Sequence, residues 1–149
     1  MTIYLGADHR GFALKEQIKE KLMNKGHEVV DVGAAALNKD DDYPEFAGAV
    51  AKKVSEDPGA RRGIVICGSG IGADIAANKF KGVRSALALS PEHITIARHD
   101  DDVNVLSLAA DFIDREKAFA IVKAFIVTPF AKDEARYKRR LDEIAAFEK

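Results

Sequence analysis

The stretch "VICGSGIGADIAANKF", residues 65–80, ends an apolar run in the chain's one cysteine, Cys67. Glycines 68, 70 and 72 follow at once, then a helical pattern from about Gly70 to Phe80. Alternating glycines let the backbone turn sharply and gather N–H groups at the start of a helix, an arrangement that binds an anion or a developing oxyanion. A thiol beside such donors is favoured as the thiolate, which serves as a base or nucleophile. Two plainer readings stand beside this one. A lone cysteine is commonly a small buried hydrophobe, and the glycines could form a strand-to-helix turn with no ligand. Residues 68–73 also fit the relaxed dinucleotide pattern G-x-G-x-x-A. Against a dinucleotide, the loop follows the third strand rather than the first, and no acidic residue ends the next strand, "VRSALAL", to hold a ribose.

Four other groupings carry chemistry. "GADHRG" places Asp8 and His9 at the end of the first strand. There the carboxylate can accept from sugar hydroxyls, or cap the next helix, and the imidazole can bind phosphate or move a proton. "EARYKRR" sets Arg136 and Arg140 one helical turn apart, able to clamp one phosphate or simply to face solvent. "RHDDDVN" gathers His99, Asp100, Asp101 and Asp102 ahead of the fifth strand, which reads as the ligand side of the sheet. "DDDY", residues 40–43, is a second acidic group. Neither acidic group has a defined ligand spacing, so no metal is expected.

The elements that must position these residues alternate along the chain. "TIYLG", "HEVVDVG", "RGIVICG", "VRSALAL" and "VNVLSLA" read as strands. Amphipathic stretches separate them, as in "FALKEQIKEKLMNKG" with Leu14, Ile18 and Leu22 a turn apart. Strands alternating with helices imply a five-stranded parallel sheet covered on both faces, a single-domain, Rossmann-like α/β three-layer sandwich. With strand order 2-1-3-4-5, the reversal of order falls between strands 1 and 3, so "GADHRG" and "CGSGIG" face one crevice. The terminal helix, with Leu141, Ile144 and Ala145 on one face, packs either on a partner subunit or on its own sheet.

Composition narrows the partners. A chain of 149 residues matches one domain and buries about 70% of its unfolded surface, enough to stand without disulfides or a structural metal. The 23 basic and 24 acidic residues give a net charge of −1, no general reason to bind nucleic acid or an anionic membrane. One cysteine, no apolar leader in "MTIYLGADHRG" and no membrane-length apolar run suit a cytoplasmic protein.

Taken together, "GADHRGFALK", "EVVDVG", "DYP", "GIVICGSGIGADIAANKFKGVRSAL", "NVL" and the arginine pair make the chain resemble the type B ribose-5-phosphate isomerases and their galactose-6-phosphate isomerase relatives, nearly end to end. The resemblance implies a metal- and cofactor-independent aldose–ketose isomerase acting on a phosphorylated sugar through a cis-enediolate. It implies Cys67 as the base, with Ser69 assisting and the N–H groups of Gly68, Ser69, Gly70, Ile71 and Gly72 holding the enediolate oxygen. Asp8, His9 and Tyr43 would line the substrate pocket, Arg136 and Arg140 would take the phosphate, and a homodimer or homotetramer would build each site from two subunits. The likeness breaks in "RHDDDVN". Members acting on ribose 5-phosphate usually read His-Asn-Asp-x-Asn there, with the histidine opening the sugar ring. Counting back from Asn104, Asp100 holds the histidine position and Asp101 the asparagine position, with His99 one place earlier. The family's substrate-binding arginine after the strand falls on Asp111. Ring opening thus passes to His99 or Asp100, with Asp101 beside the sugar. The other reading is a catalytically impaired sugar-phosphate-binding subunit that pairs with an unlike one.

Overall fold

β-Branched and other apolar residues dominate the short strands, and turn chemistry punctuates them. A computed structural model describes residues 1–148. The strands are β1 (Thr2–Ala7), β2 (Glu28–Asp31), β3 (Arg62–Cys67), β4 (Ser85–Leu87) and β5 (Val105–Ala109). The helices are α1 (Phe12–Asn24), α2 (Tyr43–Ser55), α3 (Ile71–Ala77), α4 (Pro91–Asp101), α5 (Arg115–Val127) and α6 (Ala135–Ala145). Helix starts follow local chemistry. The Ser90 hydroxyl accepts from the His93 N–H with Pro91 next in line, and the Asp114 carboxylate accepts from the Lys117 N–H.

All four strand pairings are parallel, and the order is β2-β1-β3-β5-β4. This corrects the expected 2-1-3-4-5. β5 is buried along its whole length and needs neighbours on both sides, whereas the three-residue, half-buried β4 is suited to an edge. The reversal between β1 and β3 survives the change. Alternation along the strands sorts two cores. Ile3, Leu5, Ile64, Ile66, Leu106 and Leu108 face the layer of α1, α4 and α5. Tyr4, Val65, Cys67 and Val105 face α2 and α3. Helix α3 is shorter than expected, beginning after Gly70 and ending at Ala77.

One buried charge anchors the β2 edge and the loop beyond it. Lys15 is fully buried and donates through Nζ to Asp31 Oδ2 at 2.7 Å and to the Ala34 carbonyl at 2.9 Å. Lys19 donates to the same Asp31 oxygen at 2.7 Å. Burial alone would push the Asp31 carboxyl up; the two lysine hydrogen bonds outweigh it and hold the carboxyl below its usual range. Lys15→Met keeps the volume but leaves Asp31 with one ammonium. Denaturant unfolding at pH 7 should show a loss of about 2 kcal/mol, less than a fully buried pair would forfeit. A depressed carboxyl contributes stability above its unfolded value of 3.8, so the difference between variant and parent should shrink as pH falls below that value.

Candidate active site

The carboxyl ends of the adjacent strands β1, β3 and β5 bring Asp8, Cys67 and Asp111 to one cavity of about 480 Å³, lined also by Arg10, Tyr43 and Ser69. Cys67 ends β3, faces the α2–α3 side and is only 3% exposed, at the cavity floor. The carbonyls of the loop beyond it are tied back toward β5. Cys67 O accepts from the Ala110 N–H at 2.9 Å, and Gly68 O from the Asp111 N–H at 3.0 Å. Gly70 O accepts from the buried Ser107 hydroxyl at 2.6 Å. In a planar trans peptide the next N–H points opposite to the carbonyl, so the N–H groups of Gly68, Ser69 and Ile71 are aimed away from β5. Gly70 sits at φ +73°, and a Cβ there would lie 2.5 Å from Leu87 and 3.0 Å from the Leu108 backbone, so only glycine fits. The Ser69 hydroxyl is exposed and accepts from the Ile71 N–H at 3.3 Å.

Asp8 serves the backbone and faces the cavity at once. Its Oδ1 accepts from the N–H groups of Arg10 and Gly11, fixing the turn into α1, and the residue also lines the cavity. His9 is not among the lining residues. Its ring Nδ1 and its own N–H both meet Asp41 Oδ1 at 2.8 Å, and that hydrogen bond raises the imidazole above its ordinary 6.5. Asp41 comes from the "DDDY" group, which therefore orients a histidine. Tyr43, the first residue of α2, lies beside Gly72 at the cavity.

The expectation that "RHDDDVN" lies on the ligand side is corrected. β4 and β5 are parallel, so α4 must return to the amino-terminal edge of the sheet, and its last turn carries His99, Asp100 and Asp101 there. The length of β5, roughly 13 Å at ~3.3 Å per residue, separates that edge from Cys67. His99 Nδ1 is 2.6 Å from Asp100 Oδ1. That hydrogen bond, with help from Tyr137 and Arg136, holds the Asp100 carboxyl below its usual range. His99 meets the Tyr137 ring edge-on at 5.7 Å, and the Arg136 guanidinium lies over the same ring at 4.8 Å. Arg136 thus shares the His99 end, and neither it nor Arg140, both exposed on α6, lines the Cys67 cavity. The Asp101 side chain is exposed, while Asp102 is structural: in a left-handed turn at φ 45°, it accepts from Arg98 at 2.7 Å and Arg84 at 2.9 Å. Sequence reasoning passed over Arg10 and Ser107, although each lies on or just beyond a strand that ends at the crevice. Among the described residues, no three His, Cys, Asp or Glu side chains gather so as to hold a metal, and no helix is long and apolar enough to cross a membrane.

Comparison with known proteins decides the relationship. The Ribose/Galactose Isomerase family profile matches residues 3–144. The chain belongs to that family. It is 44% identical over 149 residues to ribose-5-phosphate isomerase B of Mycobacterium tuberculosis, covering all of this chain and 91% of the relative. It superposes on ribose-5-phosphate isomerase B from Mycoplasma genitalium with bound ribulose-5-phosphate at a TM-score of 0.94, with 40% identity over 99% of this chain and 95% of that one. The isomerase B of Clostridium thermocellum gives a TM-score of 0.92, with 35% identity over 99% and 97% of the two chains. This ribose/galactose isomerase family member is accordingly an aldose–ketose isomerase, and its all-parallel sheet is the family's fold.

Two measurements probe the site's construction. Ser107→Ala removes the hydroxyl that fixes Gly70 and should lower stability by about 1–2 kcal/mol, read as a lower Tm. The second is a proton NMR titration of His9. An imidazole raised by a carboxylate keeps its proton above 6.5 and loses the charged pair only as pH rises through the raised value. In Asp41→Asn the His9 midpoint should fall back toward 6.5.

Proposed function

We propose that this chain interconverts a phosphorylated aldose and its ketose, ribose 5-phosphate and ribulose 5-phosphate or a related pentose or hexose phosphate, through a cis-enediolate. The Cys67 thiolate removes the proton from C2 of the open-chain aldose, and the electrons of that C–H bond form the C1–C2 double bond while O1 becomes the enediolate oxygen. The N–H groups beyond Cys67 face that oxygen, the preorganised donation that lowers such barriers most. The Ser69 hydroxyl passes the proton of O2 to O1, and Cys67 returns its proton to C1, so that O2 becomes the ketose carbonyl. Asp8 and Tyr43 hold the sugar. The observation that carries this reading is Cys67 at the floor of a cavity beside a glycine loop, with the Cys67, Gly68 and Gly70 carbonyls drawn toward β5.

The phosphate site is assigned to Arg136 and Arg140 of a second copy, with His9 adding positive charge and with His99, Asp100 and Asp101 beside the sugar ring. Three observations support a composite site in a homodimer or homotetramer. His99, and Arg136 through the Tyr137 ring, lie at the edge of the sheet opposite Cys67, and Arg140 is one turn further along α6. Helix α6 buries none of its residues and has α4 as its main neighbour. Ile71 and Ile75 on α3, Ile96 on α4 and Phe147 after α6 are exposed apolar side chains.

Turnover assays with pentose and hexose phosphates test the reaction. A tetrose 4-phosphate, whose ring-forming hydroxyl is esterified, reads proton transfer without ring opening. Binding across the panel with no turnover would replace this reading with a sugar-phosphate-binding subunit. Cys67→Ala should abolish turnover, by at least a thousandfold on the order of a lost nucleophile or base, while calorimetric binding persists. Arg140→Ala should raise the KM with kcat largely kept. Co-expressing the two variants should restore a component with the parental KM, about a quarter of parental activity at substrate far below the KM of Arg140→Ala, if sites span two copies, because half the dimers then carry one intact site. A site within one protomer recovers no component with the parental KM.

A further inference from the structure

We propose that Arg10 donates to the reacting end of the substrate in the Cys67 cavity and that Asp111 is the residue that positions it; this rests on the isomerase reading above. Arg10 lies three residues beyond β1 and Asp111 two beyond β5, with β3 between those strands. Their side chains form an ion pair across the tip of β3, over Gly68. A Cβ on Gly68 would stand 2.6 Å from Asp111 Oδ2 and 2.7 Å from Arg10 Nε, so the absent side chain is what admits the pair. Both backbones are fixed. The Arg10 N–H donates to Asp8 Oδ1 at 3.0 Å, and the Asp111 N–H to Gly68 O at 3.0 Å.

The pair has little to do for folding. The side chains are 58% and 35% exposed, and ion pairs that open to water contribute little to stability. Its consequence is electrostatic. Asp8 and Asp111 line the cavity with carboxylates, and Arg10 is the one cationic side chain lining it among the described residues. An enediolate forming beside Cys67 meets repulsion from Asp111 unless Arg10 neutralises it. A guanidinium has five N–H donors in a rigid fork, and Asp111 engages one terminal nitrogen, leaving others for a substrate oxygen. Asp111 therefore holds the fork beside Gly68, and Arg10 supplies the positive charge next to the carbon that Cys67 deprotonates.

Steady-state kinetics of Arg10→Ala, Asp111→Asn and the double variant test this, with ribitol 5-phosphate, which cannot isomerise, as a calorimetric probe. Arg10→Ala should lower kcat/KM about a hundredfold, the scale of one lost donor to a developing oxyanion, with Tm unchanged. Asp111→Asn, which frees the arginine, should lower it about tenfold. The double variant should exceed Arg10→Ala alone, because the lone carboxylate facing the enediolate is gone; a merely structural pair would not give this recovery. An Arg10→Ala enzyme within about twofold of the parent, or a double variant no faster than Arg10→Ala, would overturn the assignment. If the parent turns over no sugar phosphate, the isomerase reading fails, and ribitol 5-phosphate alone decides. About tenfold weaker binding by Arg10→Ala then supports the arginine's role, whereas equal binding, or none by the parent, overturns it.

Discussion

The Ser107 hydroxyl donating to the Gly70 carbonyl, buried at 2.6 Å, is the contact on which the site rests. Gly70 takes a left-handed conformation against Leu87 and the Leu108 backbone, so the loop passes where no side chain would fit. The Gly70 carbonyl accepts from the Asp74 N–H of α3 at 3.1 Å, and a β5 position occupied by serine among valine, leucine and alanine adds a second donor from the sheet. Together with the Ala110 and Asp111 N–H groups it draws three loop carbonyls toward β5. The N–H groups of Gly68 and Ser69 are then turned away from β5, while the Ile71 N–H, turned the same way, donates to the Ser69 hydroxyl.

The parallel sheet imposes a second constraint. Every strand delivers its last residue to one edge, and every crossover helix delivers its last turn to the other. Asp8, Cys67 and Asp111 belong to the first edge; His99, Asp100 and the approach to α6 belong to the second, where the Ala131 N–H donates to the His99 carbonyl. No local rearrangement of one protomer can join the two sets, because the strands are the rigid centre of the fold. The proposed composite site follows from this separation, and α6 is amphipathic with nothing of its own buried.

The two edges also differ in electrostatic economy. At the Cys67 edge few charges are present and each is bound to a defined partner: Asp8 to the turn into α1, Asp111 to Arg10, and His9 to Asp41. At the other edge Asp102 is shared between Arg84 and Arg98, which stiffens the end of α4 and presents His99 and Asp100 as a hydrogen-bonded unit. The run of aspartates is therefore not one acidic patch but neighbouring residues with separate duties.

Periodicity and glycine spacing determined the five-strand α/β alternation, the meeting of the β1 and β3 ends at one crevice and the prominence of Cys67, while whole motifs such as "GADHRGFALK" and "CGSGIGADIAANK" carried the family resemblance. These are local signals: apolar runs bounded by turn residues, and a glycine pattern that few backbones require. The tertiary structure alone decided that β5 lies inside β4, because edge and centre are set by burial on both sides of a strand. It also decided that "RHDDDVN" sits away from Cys67, since nearness in sequence to a strand's start means distance from its end. Ser107 beneath Gly70, Asp41 behind His9 and Arg10 across from Asp111 were hidden for the same reason. Each pair joins residues 32 to 101 positions apart, and only the register of packed strands brings such residues within hydrogen-bond reach.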